Sequence, residues 1–248
     1  MVQVPRRTGV SGPTLIRLLA RLTDADIPPS RQSLADRLSL WLGWTDAIAL
    51  STVLDAGQPT VAAGAPVFDS AEAREVERVR GTLAHAIADD RPFMAAPPRG
   101  RALARNAAPD DEPAYATYRQ RYLAIQQNME TSIAKTRGRL RALLTAQAPA
   151  KARLAMVDAI MERSLSLHER RLLSTIPGML EGHFERLRQA AQDAQEPGAQ
   201  DADTPTPAPA APAPWLAAFR ADMRSVLRAE LDIRLQPIEG LLAALRAH

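Results

Sequence analysis

The sequence contains no cysteine, few aromatic residues and no long apolar run. Without cysteine there are no disulfides, thiolate metal sites or cysteine nucleophiles, and the composition is consistent with a reducing compartment. Aromatic residues make up 4% of the chain, which favours helices, because aromatic and β-branched residues favour strands. The best apolar run, Leu38–Trp44, is far shorter than the ~18 residues that cross a bilayer. We therefore predict a cytoplasmic protein without a transmembrane segment.

The sequence also lacks the motifs of common catalytic sites. Its 12 glycines are scattered, so no phosphate-binding loop is predicted, and no Gly-x-Ser-x-Gly nucleophile elbow occurs. The segment from His168 to Leu172 begins like a zincin motif, but a leucine stands where the second histidine ligand would have to be. We therefore predict a non-enzymatic protein with no cofactor and no metal ion, in which His168 is a packed side chain.

Apolar residues recur at helical spacing along most of the chain, and this spacing predicts an all-α protein. Its predicted parts are a small N-terminal helical core, a long antiparallel helical hairpin that projects from it, a Pro/Ala-rich linker and a C-terminal amphipathic helix. The predicted boundaries are 1–12 for a flexible tail, 13–90 for the N-terminal region, 91–112 for a Pro-rich connector, 113–194 for the hairpin, 195–213 for the disordered linker and 214–248 for the terminal helix.

The second helix of the N-terminal region is apolar on two faces. It begins at a capping-box pattern, Ser33-x-x-Asp36. The apolar residues are Leu34, Leu38, Trp41 and Ile48 on one face and Leu40, Trp44 and Ala47 on the other. A helix that is apolar all round is expected to be buried. We therefore predict that this helix is well buried and pairs with the first helix, which begins at Pro13.

The hairpin is predicted from two apolar stripes divided by the break at Ala148-Pro149. The first arm carries Tyr115, Tyr118, Tyr122, Ile125, Met129, Ile133, Leu140 and Leu144. The second arm carries Leu154, Val157, Met161, Leu165, His168, Leu172, Ile176, Leu180, Phe184 and Leu187. Pro177-Gly178 is expected to kink the second arm.

The turn of the hairpin is the chemically unusual part of the sequence. No acidic residue occurs from Thr131 to Val157. The basic residues near the turn are Lys135, Arg137, Arg139, Arg141, Lys151 and Arg153. If they crowd together without local counter-charge, an anionic partner would relieve their repulsion. They are either a solvated tip or a site for nucleic acid, an acidic protein or anionic lipid.

The terminal helix carries the second candidate site. Its apolar stripe begins with Trp215, Phe219, Met223, Leu227 and Leu231, which we predict to dock on a partner helix, on a second copy or on the protein's own core. Peripheral contact with a membrane is a weaker alternative, because acidic residues dilute the cationic side of this helix.

The segment SGPTLIRLLARLTDADIPPSRQSLADRLSLWLGWTDAIAL, together with YATYRQRYLAIQQNME further on, resembles an uncharacterised proteobacterial family of all-helical proteins of about this length. The resemblance covers most of the chain and brings no established activity or catalytic residue. Members of that family tend to be encoded near membrane-anchored and outer-membrane-protein-A-like proteins, which implies a cytoplasmic partner of an envelope-associated assembly.

These observations predict a non-enzymatic helical interaction or adaptor protein that binds a protein partner or a second copy. The alternative is an anion- or nucleic-acid-binding protein that uses the basic hairpin tip.

Overall fold

The computed structural model describes residues 13–25, 32–55, 57, 70–89, 114–195 and 213–247. These residues form eight α-helices and no strand, so the all-α prediction is confirmed. The helices are α1 (Thr14–Thr23), α2 (Leu34–Trp41), α3 (Trp44–Asp55), α4 (Ser70–Ala88), α5 (Tyr115–Ala146), α6 (Pro149–Leu173), α7 (Ile176–Gln195) and α8 (Pro214–Arg246). Within the described ranges, none of these helices combines the length and apolarity needed to cross a membrane. The predicted tail and connector, and the linker from 196 to 212, lie outside the described residues.

The helix boundaries follow local sequence signals. The Ser33 hydroxyl accepts a hydrogen bond from the Asp36 amide at 3.1 Å, and the Asp36 carboxylate accepts one from the Ser33 amide, so the predicted capping box begins α2. α6 begins with Pro149. Proline has no backbone N–H, and in the first turn of a helix that N–H would have no partner within the helix. Pro177 occupies the first turn of α7. The second arm is therefore broken between Leu173 and Ile176, slightly before the predicted kink.

The core is organised around α5 and α8. Every residue of the stripe predicted for the first arm is buried, and α8 buries its stripe from Leu216 to Leu245. α8 packs against α1, α4, α5, α6 and α7 of the same chain. The terminal helix therefore docks within its own chain, and α5 lies at the centre of the bundle instead of projecting from it.

The N-terminal helices do not form a separate core. Leu15 of α1 and Leu83 of α4 belong to the same apolar cluster as the stripes of α5 and α8. α1 packs against α7 and α8, whereas α2 and α3 pack against α6. The predicted pairing of the first two helices is wrong, because the long stripe of α8 can cover several short helices at once and α1 buries its apolar face there.

Candidate partner-binding site

The basic residues of the predicted tip are largely neutralised by acidic residues of the same chain. The Arg137 guanidinium donates two hydrogen bonds to the Asp158 carboxylate, at 2.9 and 2.6 Å. Arg141 donates to the same carboxylate at 3.2 Å and to Glu162. All four side chains are mostly buried between α5 and α6. The predicted lack of local counter-charge is therefore wrong, because the pairing of the two helices brings Asp158, the first acidic residue after Val157, opposite these arginines.

The other basic residues of this set point in different directions. Arg139 lies 3.8 Å from Glu72 of α4, and the Lys151 ammonium donates to the Gln147 side chain at 3.0 Å and to the Leu245 carbonyl of α8 at 3.4 Å. Arg153 also has an interaction partner, and Lys135 is exposed. The six residues therefore do not form one cationic surface, and the observation that supported an anion site is lost.

Asp158→Ala is expected to lower the free energy of unfolding by about 1–3 kcal/mol, because it removes the hydrogen bonds of two mostly buried arginines while Glu162 remains beside them. Glu130→Ala removes an acceptor from the exposed Arg170 and should cost less than about 1 kcal/mol. Urea unfolding followed by circular dichroism measures both variants. Equal effects would show that Asp158 is no more important than a surface charge.

The predicted docking residues of the terminal helix lie inside the fold. Phe219, Met223, Leu227 and Leu231 are buried among α1, α4, α5 and α7. Trp215 is partly buried, and its ring lies 5.1 Å from that of Phe184 in α7. Of the alternatives predicted for this stripe, docking on the protein's own core is the one that the structure shows, because all five residues contact their own chain.

An apolar surface that the sequence did not indicate lies on α2 and α3. The exposed fractions of Leu40, Trp44 and Ile48 are 73%, 82% and 50%, and these three residues define what we call the α2–α3 face. The prediction that this segment is well buried is wrong. The helix is broken at Leu42-Gly43. Among the described helices, both pieces pack on α6, and apolar residues from both predicted faces are left exposed.

A groove with a volume of about 660 Å³ runs between α5, α6 and α8 beside this face. Its apolar lining includes Trp41, Ile133, Met161, Leu165, Leu172 and Pro237. The predicted stripe of α6 from Met161 to Leu172 therefore lines a groove instead of the core. The rings of His168 and Trp41 stack with their centroids 5.6 Å apart, so His168 is packed, as predicted. Trp41 lines the groove, and its neighbour Leu40 belongs to the α2–α3 face. The groove and the face therefore adjoin at these two residues.

The charges that line the groove are balanced by ion pairs. Arg163 pairs with Asp46 of α3 at 2.7 Å, and Arg170 pairs with Glu130 of α5 at 2.6 Å. Hydrogen bonds from Arg163 and Ser164 hold the pKa of the Asp46 carboxyl below its usual value. The other arginines that line the groove, including Arg137 and Arg141, also have carboxylate partners. The groove is therefore not a strongly cationic surface.

The wall of the groove formed by α8 is held by a buried polar network. Glu230 is fully buried and accepts hydrogen bonds from the Tyr122 hydroxyl at 2.7 Å, the Gln126 amide at 2.9 Å and Arg234 Nε at 2.9 Å. Arg234 also donates to Glu169 at 3.1 Å, at the edge of the groove. Burial and the neighbouring Glu230 raise the pKa of Tyr122, so its hydroxyl stays a donor. The network fixes the position of α8 against α5.

The fold and the site together define an all-helical bundle that carries an uncovered apolar face beside an apolar groove. Among the residues that the structure describes, no three histidine, aspartate or glutamate side chains are placed to share a metal ion. The chain belongs to the family described as "Protein of unknown function (DUF3348)", whose model matches residues 1–247. The predicted membership of an uncharacterised family is thereby confirmed. Neither a curated protein nor a solved structure matches the chain.

Proposed function

We propose that this chain is a non-enzymatic interaction protein that binds a partner protein through the α2–α3 face and the adjoining groove. The observation that carries the proposal is the exposure of Trp44 beside Leu40 and Ile48. Exposed clusters of large apolar side chains mark interaction sites in soluble proteins, and tryptophan is enriched among the residues that dominate binding energy.

The charge distribution favours a protein over nucleic acid or a membrane. No lysine or arginine occurs from Leu38 to Ala73, so the α2–α3 face lacks the cations that contact phosphates or anionic headgroups. The arginines of the groove are engaged by carboxylates of the chain, as described above. An apolar partner surface with little net charge suits this site best.

The cellular setting is also a proposal. The lack of cysteine is consistent with a reducing compartment, and the resemblance to the family implies a cytoplasmic partner of an envelope-associated assembly. In this proposal, such a partner is held by the α2–α3 face and the groove.

Site-specific photo-cross-linking in the source organism tests the proposal. A photoreactive phenylalanine analogue placed at Trp44 should form adducts with a defined protein when the cells are irradiated. The matched control position is Met156 of α6, which is 45% exposed and does not line the groove. Adducts at Trp44 that disappear with Leu40→Ser and that do not form at Met156 support the proposal. No protein adduct at Trp44, or equal adducts at both positions, would overturn it.

A further inference from the structure

We infer that α2 and α3, which we call the cover, open away from α6 as one unit while the other described helices stay folded. Opening exposes the side of α6 that the cover hides and widens the adjoining groove for the partner. The inference rests on the proposed function, because it concerns access to the same site. Three features carry it: the position of the cover outside the core, its small buried surface and its weak polar contacts.

The cover lies outside the core of the bundle. The main apolar cluster combines residues of α1, α4, α5, α7 and α8 with Ala155 and Leu173 of α6. Among the side chains that the structure describes, no apolar residue of the cover belongs to this cluster or packs against it. The helices that flank the cover along the chain, α1 and α4, are anchored in the cluster by Leu15 and Leu83. Displacement of the cover therefore leaves the core and both flanking helices in place.

The cover runs antiparallel to α6 and lies along its middle part. The ring of Trp41, at the end of α2, stacks on that of His168 with the centroids 5.6 Å apart. Further along the cover, the Asp46 carboxylate accepts a hydrogen bond from Arg163 at 2.7 Å, which lies closer to the start of α6. The rest of α3 therefore continues towards the N-terminal half of α6.

The apolar interface beneath the cover is small. Val53 lies two helical turns after Asp46 on the same side of α3, which directs it towards Ile160 of α6. Both are buried, yet neither belongs to the main apolar cluster. Val53 is the only buried residue of α3, and α2 has none among its described side chains, whereas the shorter helix α1 buries three. Because apolar burial is the main favourable contribution to helix docking, the cover is held more weakly than α1.

The polar contacts of the cover add little to its attachment. Asp46 accepts hydrogen bonds from Arg163 and Ser164 of α6, but the Arg163 side chain is 62% exposed. Solvent-exposed ion pairs contribute little to stability. The stacked rings of Trp41 and His168 line the open groove. Water reaches both contacts, so their loss on opening costs little.

Opening enlarges the apolar site. Trp41 leaves the lining of the groove, and Ile160 becomes accessible beside Met161 and Leu165 of the same helix. A partner that contacts this larger surface shifts the chain towards the open form. Without the partner, the closed cover keeps the apolar side of α6 from water, where it would promote non-specific association.

Hydrogen exchange on the full-length chain, followed by mass spectrometry, tests the opening. The amides of α2 and α3 are expected to have protection factors at least about 100-fold below those of α5 and α8. Because the cover opens as one unit, its two helices should share one dependence of exchange on urea concentration. Equal protection in α3, α5 and α8, or protection that falls gradually from each helix end without a shared urea dependence, would overturn the inference.

Cysteine labelling gives an independent measurement, because the chain has no cysteine of its own. In the full-length chain, a thiol reagent should modify Ile160→Cys roughly 100-fold faster than Leu83→Cys, which lies in the main cluster. Adding His168→Ala should accelerate modification at position 160 about fivefold, because it removes the stack on Trp41. The control Arg170→Ala breaks an ion pair with α5 and should not change the rate. Equal rates at positions 160 and 83, or equal acceleration by both added substitutions, would contradict the opening.

These results are separable from the test of the proposed function. If the cover exchanges as slowly as α5 while cells yield adducts at Trp44, the partner binds the closed form and only the inference is lost. If the cover opens but no adduct forms at Trp44, the proposed function fails, and with it the role of the cover in partner binding.

Discussion

Replacing Glu230 with alanine is expected to lower the free energy of unfolding by about 3–5 kcal/mol, because it leaves a buried cation and two buried donors without their acceptor. Glu230 is fully buried and is the shared acceptor of Tyr122, Gln126 and Arg234. After the substitution, Arg234 retains only Glu169, at the solvent-exposed edge of the groove. Urea unfolding with linear extrapolation measures the loss.

Two further variants separate the network from an ordinary ion pair. Glu239 is half-exposed and pairs with Arg80, which also lies 3.8 Å from Asp232, so Glu239→Ala should cost no more than about 1 kcal/mol. Glu230→Gln keeps the size and one acceptor oxygen and should fall between the two. If Glu230→Ala cost no more than Glu239→Ala, the buried network would not be what holds α8 against α5.

The sequence was sufficient to predict the stripes that form the core. The apolar residues of the first arm and of the terminal helix follow a period near 3.6 over eight or more positions, and these residues are buried in the structure. Long amphipathic helices are predictable from sequence because the period identifies the side that must leave water, whichever neighbour covers it.

The neighbour itself could not be predicted. The stripe of α6 has the same spacing as that of α5, yet Leu172 is exposed and Met161 lines a groove. Likewise, α3 is apolar on two sides, but only Val53 is buried. The period gives no information about which helices meet, and here α8 supplies the cover for α1, α4 and α5. The uncovered stripes are therefore where the candidate site lies.

The basic tip shows that the neighbours of a charged side chain could not be predicted from the sequence either. Counting residues along the chain finds no acid between Thr131 and Val157, but ion pairs form across the turn, between residues 17 and 21 positions apart. The break at Ala148-Pro149 was predicted, but the pairing of α5 with α6 across it brings Arg137 and Arg141 to Asp158. Side-chain neutralisation depends on that pairing and not on composition.

Phe219→Ala is expected to lower the free energy of unfolding by about 3–5 kcal/mol. Phe219 is fully buried in α8, and its ring meets those of Tyr118 and Phe184 edge-to-face with centroids 5.2 and 5.0 Å apart. The same ring lies 6.3 Å from that of Tyr115. The cluster joins α5, α7 and α8, so truncation leaves a cavity at their meeting point that rigid neighbouring rings cannot close. Thermal and urea unfolding measure the effect.

Phe219→Leu and Trp44→Ala provide the matched controls. Leucine retains most of the buried volume, so the loss should be less than half of that for alanine. Trp44→Ala removes a larger aromatic ring, but from an 82% exposed position, and should change stability by no more than about 0.5 kcal/mol. If Trp44→Ala destabilised the isolated chain as much as Phe219→Ala, Trp44 would be part of the core and could not be reserved for a partner. A stable Trp44→Ala variant that no longer binds the partner protein therefore separates the residues that stabilise the fold from those that bind the partner.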